Sequence, residues 1–425
     1  MRNNRGNDRK PAVPGGSGDE KTHLSARSVT ARLTGPPFLL FVLIFAAGFL
    51  AGTLFWHFRP FDASVPSGGT ATLPDTSAGT EVSPEPELPP APPQEEEPSA
   101  EPAPFVISFL GDCTLTSSHH TNHFEKLVGD DYAYPFSNVA ELLLADDLTL
   151  ANLECSFSPR RLESDSEYAF CGDPNYVQAL VLGGVEAVTL SNNHTRDFGD
   201  AGLRDTEAAL AEYGVAGIPG NQEQCFELRH GNGDTLRLGT YVHPFNGSAK
   251  QMEDGCKRLK DEGADIIVAF MHAGAEKTYV PTKRQTALAH AAVKGGADVV
   301  VGTHPHVLQP IEAYQGSVIL YSIGNFCFGG NRSPSDKDTV IAQLTVSGSG
   351  EDRSWEMSYI PCCVSSVSTR NDYRPTPYPP DTAAYRRWFQ KLDGTFRPPV
   401  PKPEAAETPP LPPEPTLGAE LLSPL

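Results

Sequence analysis

The chain has 425 residues, a formal net charge of −20 and a sequence pI near 5.0, with 40 prolines and 38 glycines. That acidic balance argues against a nucleic-acid partner, because phosphate binding is carried by clustered Lys and Arg. The prolines crowd both ends, so only part of the length can bury a core.

Residues 1–37 form a basic tail, in which Arg2, Arg5, Arg9, Lys10, Lys21, Arg27 and Arg32 outnumber Asp8, Asp19 and Glu20. Residues 38–58, FLLFVLIFAAGFLAGTLFWHF, hold no Lys, Arg, Asp or Glu, and 21 such residues are long enough to cross a bilayer as a helix. The basic side precedes the apolar run, so the positive-inside bias puts the N-terminus in the cytoplasm and the rest outside the cell membrane. The run is longer than the apolar part of a signal peptide and its leader is too long, which favours an uncleaved single-pass anchor. Residues 59–104, rich in Pro and Glu, read as an extended, disordered stalk. Residues 371–425 have a similar Pro-rich character and are expected to be a tail.

Between them lies a stretch, residues 105–370, long enough for one large α/β domain. Strands are expected at Phe105–Leu110, Leu148–Ala151, Val185–Leu190, Leu236–Val242, Ala264–Met271 and Val299–Gly302. Helices are expected at Phe136–Leu144, Asn175–Gly183, Gly202–Tyr213, Lys250–Glu262 and Thr282–Lys294, alternating with the strands as a layered α/β fold requires. Antiparallel strands at Ser317–Ile323 and Thr339–Val346 close the domain. All eight cysteines fall here without a C-x-x-C pair, which disfavours a thiolate zinc cluster and leaves disulfide pairing open. Cys113, Cys155 and Cys327 read as small buried residues at strand ends.

Polar residues recur just past the C-terminal ends of the strands: Asp112, then Asn152 and Glu154, then Asn193 and His194, then His272, then His304 and His306. Ligands bind at that edge in α/β sheets because loops from several strands converge there. His304 precedes a proline, which favours extended backbone and would lean both imidazoles of the His-Pro-His turn to one side. A mixed carboxylate, amide and imidazole set selects a divalent ion such as Mn, Fe or Zn over Ca, and a bridging carboxylate would hold two. His194 is placed to donate a proton, with Asp197 either orienting it or capping the following helix.

The segments GDCTL (111–115), ANLECSFS (151–158), LSNNHTRDFGDAGLRDT (190–206), MHAGAEKTYVPTKRQ (271–285) and GTHPHVLQPIEAYQGSVILYSIGNFCF (302–328) resemble the capsule-synthesis protein CapA family. The resemblance implies a metallophosphatase-like layered α/β sandwich and a role with an anionic polymer such as poly-γ-glutamate. It implies metal ligands at Asp112, Glu154, Asn193, His272, His304 and His306, and a proton donor at His194. Asn152, Glu276 and Glu312 are then expected near the substrate, and other capsule-synthesis proteins are expected partners. Thr114 stands where metallophosphatases place a histidine ligand, and the Asn152–Glu154 group replaces their second-motif Asp. Ala273 stands where the family often has Trp, which would open the pocket wall. Tyr321, Ser322, Asn325 and Phe326 match a YSxGNF segment and are read as packing and turn residues. A general metal-dependent phosphoester or amide hydrolase, and a non-catalytic envelope scaffold, remain as alternatives to a capsule role.

Overall fold

The computed structural model describes residues 103–160 and 163–398. The expected basic tail, apolar span and nearly all of the stalk lie outside the described residues. Among the described residues no helix is long and apolar enough to cross a membrane.

The strands are β1 (Phe105–Thr114), β2 (Leu148–Leu153), β3 (Ser156–Phe157), β4 (Cys171–Gly172), β5 (Ala187–Leu190), β6 (Ala216–Pro219), β7 (Gln222–Arg229) and β8 (Thr235–Val242). They continue as β9 (Ile266–His272), β10 (Val299–Thr303), β11 (Ile311–Tyr314), β12 (Ser317–Leu320), β13 (Asn325–Phe328), β14 (Asp338–Ser347), β15 (Ser354–Cys363) and β16 (Thr376–Pro377). Helices are α1 (His123–Val128), α2 (Ala140–Leu143), α3 (Val177–Leu182), α4 (Gly199–Glu212), α5 (Ala249–Asp261), α6 (Lys283–Gly295) and α7 (Ala383–Leu392).

Two sheets face each other. One runs β16-β15-β14-β1-β2-β5-β6, with β13 also pairing β1; the other runs β11-β12-β10-β9-β8-β7. Their facing sides share a core in which Ile107, Phe109 and Leu150 meet Leu238, Val268, Phe270, Val299 and Val301. Phe109 and Phe270 pack edge to face, ring centres 5.9 Å apart. Alternate residues of the same strands point the other way. Ala151 and Val188 pack against Val177, Leu180 and Leu210, whereas Ile267, Ala269, Met271 and Val300 pack against Met252, Leu259, Leu288 and Ala292. The result is a helix–sheet–sheet–helix stack whose central strands are covered on both faces. That is why β9 and β10 read as unbroken apolar runs instead of alternating ones.

Local signals place the helices on the outer sheet. Ser248 and Thr282 each close a capping box with a glutamine three residues on, Gln251 and Gln285, and Gly296 ends α6 at φ +107. The single helix expected over Phe136–Leu144 is broken: Pro135 starts a 3₁₀ turn at Tyr134–Phe136, and α2 keeps one short turn. Strand β12 is parallel to β10 and antiparallel only to β11. All eight cysteines are free, and Cys113, Cys155 and Cys327 are buried.

The domain does not stop at residue 370. Helix α7 is capped by Thr382, buries Trp388 completely, and directs the indole Nε1 to donate to Thr339 O at 2.7 Å. Buried Lys391 Nζ sits 2.5 Å from both Asp336 Oδ2 and Asp338 Oδ2, and Arg387 pairs with Asp338 at 2.5 Å. Burial works to raise the Asp338 carboxyl, but Arg387 and Lys391 outweigh it and hold it below its ordinary value. The stability this provides is complete above the unfolded aspartate pKa of about 3.9 and is lost as pH falls through the lowered folded value. Asp338→Asn should cost roughly 3–5 kcal/mol at neutral pH by leaving buried cations short of a partner. It should also flatten the acid limb of a urea-denaturation series below about pH 4. A loss under about 1 kcal/mol would mean that α7 is held by Trp388 alone.

Candidate metal centre

Five strand ends meet at one edge of the sandwich. At the end of β1 the chain passes so close to residue 324 that a Cβ on Gly111 would lie 1.9 Å from Gly324 O. Glycine at 111 is therefore what lets Asp112 N–H donate to Gly324 O at 3.0 Å. Glu154 follows β2, its N–H donating to Cys113 O at 2.8 Å. Asn193 and His194 follow β5, and His272 ends β9. His304 and His306 follow β10, where Gly302 admits Tyr321 O to 2.1 Å of its would-be Cβ.

These side chains converge. His272 Nε2 lies 2.7 Å from Asn193 Oδ1, 3.0 Å from His304 Nδ1 and 3.3 Å from Glu154 Oε1. His306 Nδ1 lies 3.2 Å from Asp112 Oδ2 and 3.9 Å from Glu154 Oε2. Glu154, His304 and His306 offer atoms all within 4.8 Å of one another. Asp112 and Glu154 are fully buried, and among the described residues neither Glu154 carboxylate oxygen has a hydrogen-bond partner.

The expected extended backbone at His304 is not found. His304 and His306 have φ of +97 and +57, a region that non-glycine residues avoid. Both are held there by what they touch: His304 N–H donates to Asp112 Oδ2 at 3.3 Å, and His306 Nδ1 pairs with Asn325 Oδ1 at 2.8 Å. The turn is strained at the edge where the strand ends meet, and Asp112 and Asn325 hold it in place.

Opposed terms set the charges. Burial would raise the Asp112 carboxyl, yet His306, His272 and Asn152 keep it low. Burial would lower His306, but Glu154 and Asp112 push it up to about 10. His304 is lowered by burial and by the neighbouring His272. His194 is raised against the pull of burial by its 2.8 Å contact to Asp197 and by Glu154. Two buried carboxylates beside neutral amides call for positive charge, from an imidazolium or a bound cation.

Asn152 does not reach the substrate side. It is buried, donates to Asp112 Oδ1 at 2.8 Å, and accepts from Thr189 Oγ1 at 2.9 Å, so it braces the carboxylate from beneath. Glu312 turns elsewhere, bonding His290 Nε2 at 3.1 Å and Tyr321 OH at 2.5 Å. Glu276 is exposed and lines a cleft with Asn193, His194, His306 and Tyr168. Ala273 is buried in the outer core of the second sheet, so its small side chain does not open the wall. Asp197 caps nothing: α4 starts at Gly199 without a side-chain cap, and Asp197 accepts from Phe170 N–H at 3.0 Å as well as from His194. Thr114 Oγ1 donates to Glu154 O at 3.2 Å instead of facing the centre. Among residues not singled out from the sequence, Asn192 matters most. Its amide donates to Asn152 Oδ1 and Leu153 O at 3.2 and 2.7 Å, and its Oδ1 accepts from His194 N–H at 3.0 Å. The only signal was its place inside the run Ser191-Asn192-Asn193-His194.

The bacterial capsule synthesis protein PGA_cap family matches residues 106–229 and 221–330, more than half of the chain and the whole of this centre. The chain belongs to that family. Among its PGA_cap relatives it is similar to the capsule biosynthesis protein CapA of Bacillus anthracis, 29% identical over 277 residues, 58% of this chain and 65% of that protein. It is 30% identical over 268 residues to the PGA biosynthesis protein CapA of Bacillus subtilis, covering 58% of this chain and 69% of that one. A probable polyglutamine synthesis accessory protein of Mycobacterium tuberculosis is 27% identical over 231 residues, 46% and 60% of the two chains. The chain thus spans about two thirds or less of the length of these PGA_cap relatives.

Proposed function

We propose that this PGA_cap protein is a membrane-anchored accessory in the synthesis, export or trimming of an anionic capsule polymer such as poly-γ-glutamate. It would work outside the cell through a metallophosphatase-like divalent metal centre, beside other capsule-synthesis proteins. The helix–sheet–sheet–helix stack supports the fold assignment. The apolar residues 38–58 support the anchor, and the names of the relatives support the polymer.

One observation carries the metal reading: Glu154 is fully buried and, among the described residues, both its oxygens lack a hydrogen-bond partner while facing imidazole nitrogens. A buried carboxylate has capacity for several donors and is costly when it has none. Oxygen and imidazole donors together suit Mn, Fe or Zn. Asp112, Glu154, Asn193, His272, His304 and His306 would hold the ion, which supplies Lewis-acid polarisation of a phosphoryl or acyl oxygen when bound. His194 faces the same centre with Nε2 4.0 Å from Glu154 Oε1, and Asp197 holds its Nδ1. Phe170 packs edge-on against that ring, 4.7 Å away. A proton held at Nε2 is thus aimed at the cleft, ready for a leaving group.

The test is elemental analysis of the purified full-length chain, with hydrolysis of γ-glutamyl polymer and of a generic phosphodiester as parallel assays. Bound transition metal, polymer cleavage and loss of both in the His304→Ala/His306→Ala double variant are the expected results. Turnover of the phosphodiester alone would favour a general hydrolase. Bound metal without turnover of either, together with loss of polymer on deletion of the gene, would favour a non-catalytic capsule scaffold, and no metal would end the reading.

A further inference from the structure

The two oxygens of Glu154 look into different donor groups. Oε1 faces His272 Nε2 at 3.3 Å, and that nitrogen in turn touches Asn193 Oδ1 and His304 Nδ1. Oε2 faces His306 Nδ1 at 3.9 Å, around which Asp112 Oδ2 stands at 3.2 Å and Asn325 Oδ1 at 2.8 Å. In the second group three oxygen acceptors surround one nitrogen that has at most one proton to share. Asp112 Oδ2 also accepts from His304 N–H at 3.3 Å, and the remaining lone pairs face one another inside a buried space that a bound cation would fill.

Backbone pairing brings Asn325 there. Strand β13 runs parallel to β1 with Asp112 opposite Asn325, a pairing that the missing side chain of Gly111 allows. The amide is oriented by its own contacts: Nδ2 lies 3.5 Å from His306 O, an acceptor only, so Oδ1 is the atom turned to the centre. Asn325 is itself buried. Thr114 Oγ1 is spent on Glu154 O, to which it donates at 3.2 Å.

Resting on the metal reading above, taken in its two-ion form with Glu154 shared between the ions, we infer that Asn325 Oδ1 is a ligand of the ion beside Asp112 and His306. An amide oxygen at this position favours a hard or borderline ion such as Mn²⁺.

Manganese alone is the probe. The full-length chain is stripped with chelator, titrated with Mn²⁺, and followed by bound metal per chain and by electron paramagnetic resonance. Wild type should bind two ions with an exchange-coupled spectrum. Asn325→Ala should keep one, with an isolated six-line signal, and lose affinity at the other by about ten-fold or more. Asn325→Asp, nearly the same shape with a full charge, should keep both and tighten the second by a similar factor. Two unaltered ions in Asn325→Ala, or equal affinities in wild type and Asn325→Asp, would overturn the assignment. One ion in both wild type and Asn325→Ala would overturn it while sparing the metal reading; none in wild type would end both.

Discussion

Replacing Glu154 by glutamine is expected to reduce bound metal to less than about a tenth of the wild-type content, and to change stability in opposite directions with and without metal. A ligand that binds only the folded state stabilises it by about 4 kcal/mol at a thousand times its Kd, and the variant forfeits that term. Under chelator the comparison reverses. Wild-type Glu154 then keeps a fully buried carboxylate with no hydrogen-bond donor among the described residues, beside the equally buried Asp112. A neutral amide removes that charge, so Glu154→Gln should melt above the metal-free wild type. Thermal melts with excess Mn²⁺ and with chelator give the two signs in one experiment. A variant less stable than wild type under both conditions would show that the carboxylate serves the fold and not an ion.

Gly111→Ala should be the most damaging single methyl added near the site. The new Cβ would sit 1.9 Å from Gly324 O, and both partners are backbone, so no side chain can swing away. Relief requires β13 to move off β1, which breaks the Asp112 N–H to Gly324 O bond and the pairing of Asp112 with Asn325. Overpacking of this kind costs about 1–3 kcal/mol where side chains can adjust, and the rigid contact puts this one at about 3 kcal/mol or more. Gly324→Ala is the control. Its added Cβ meets Asp338 O at 3.2 Å, and its strain comes from φ +72, worth about 1–2 kcal/mol. Denaturant midpoints should rank wild type above Gly324→Ala, and Gly324→Ala above Gly111→Ala. The reverse order would mean that β13 is free to slide.

Most of the stack was legible because its central strands are short apolar runs that end in polar residues, and the helices carry their own caps. The gathering of Asp112, Glu154, Asn193, His272, His304 and His306 followed from strand ends sharing an edge. What escaped did so for physical reasons. β13 is only four residues, NFCF, pinned by a close backbone approach that no periodicity reports. Asn325 therefore read as a turn residue. The proline rule gave extended backbone for His304, and tertiary contacts to Asp112 overrode it. Glu312 was placed by the family resemblance, whereas β11 carries it to the α6 side, where it bonds His290. Helix α7 lay hidden between prolines, and only the burial of Trp388 and Lys391 reveals that it belongs to the domain.

That helix has a bearing on how the protein can diverge. The family match ends at residue 330, but Pro334, Ser335 and Asp336 form one bank of the cleft. Asp336 is paired with Lys391, and Tyr279 OH donates to it at 2.8 Å. The candidate metal-binding atoms and the wall that faces them thus come from two lengths of chain, one inside the family match and one beyond it. Exchanging everything after residue 330 for the same region of a relative would keep the donor atoms and reshape the bank of the cleft that faces them.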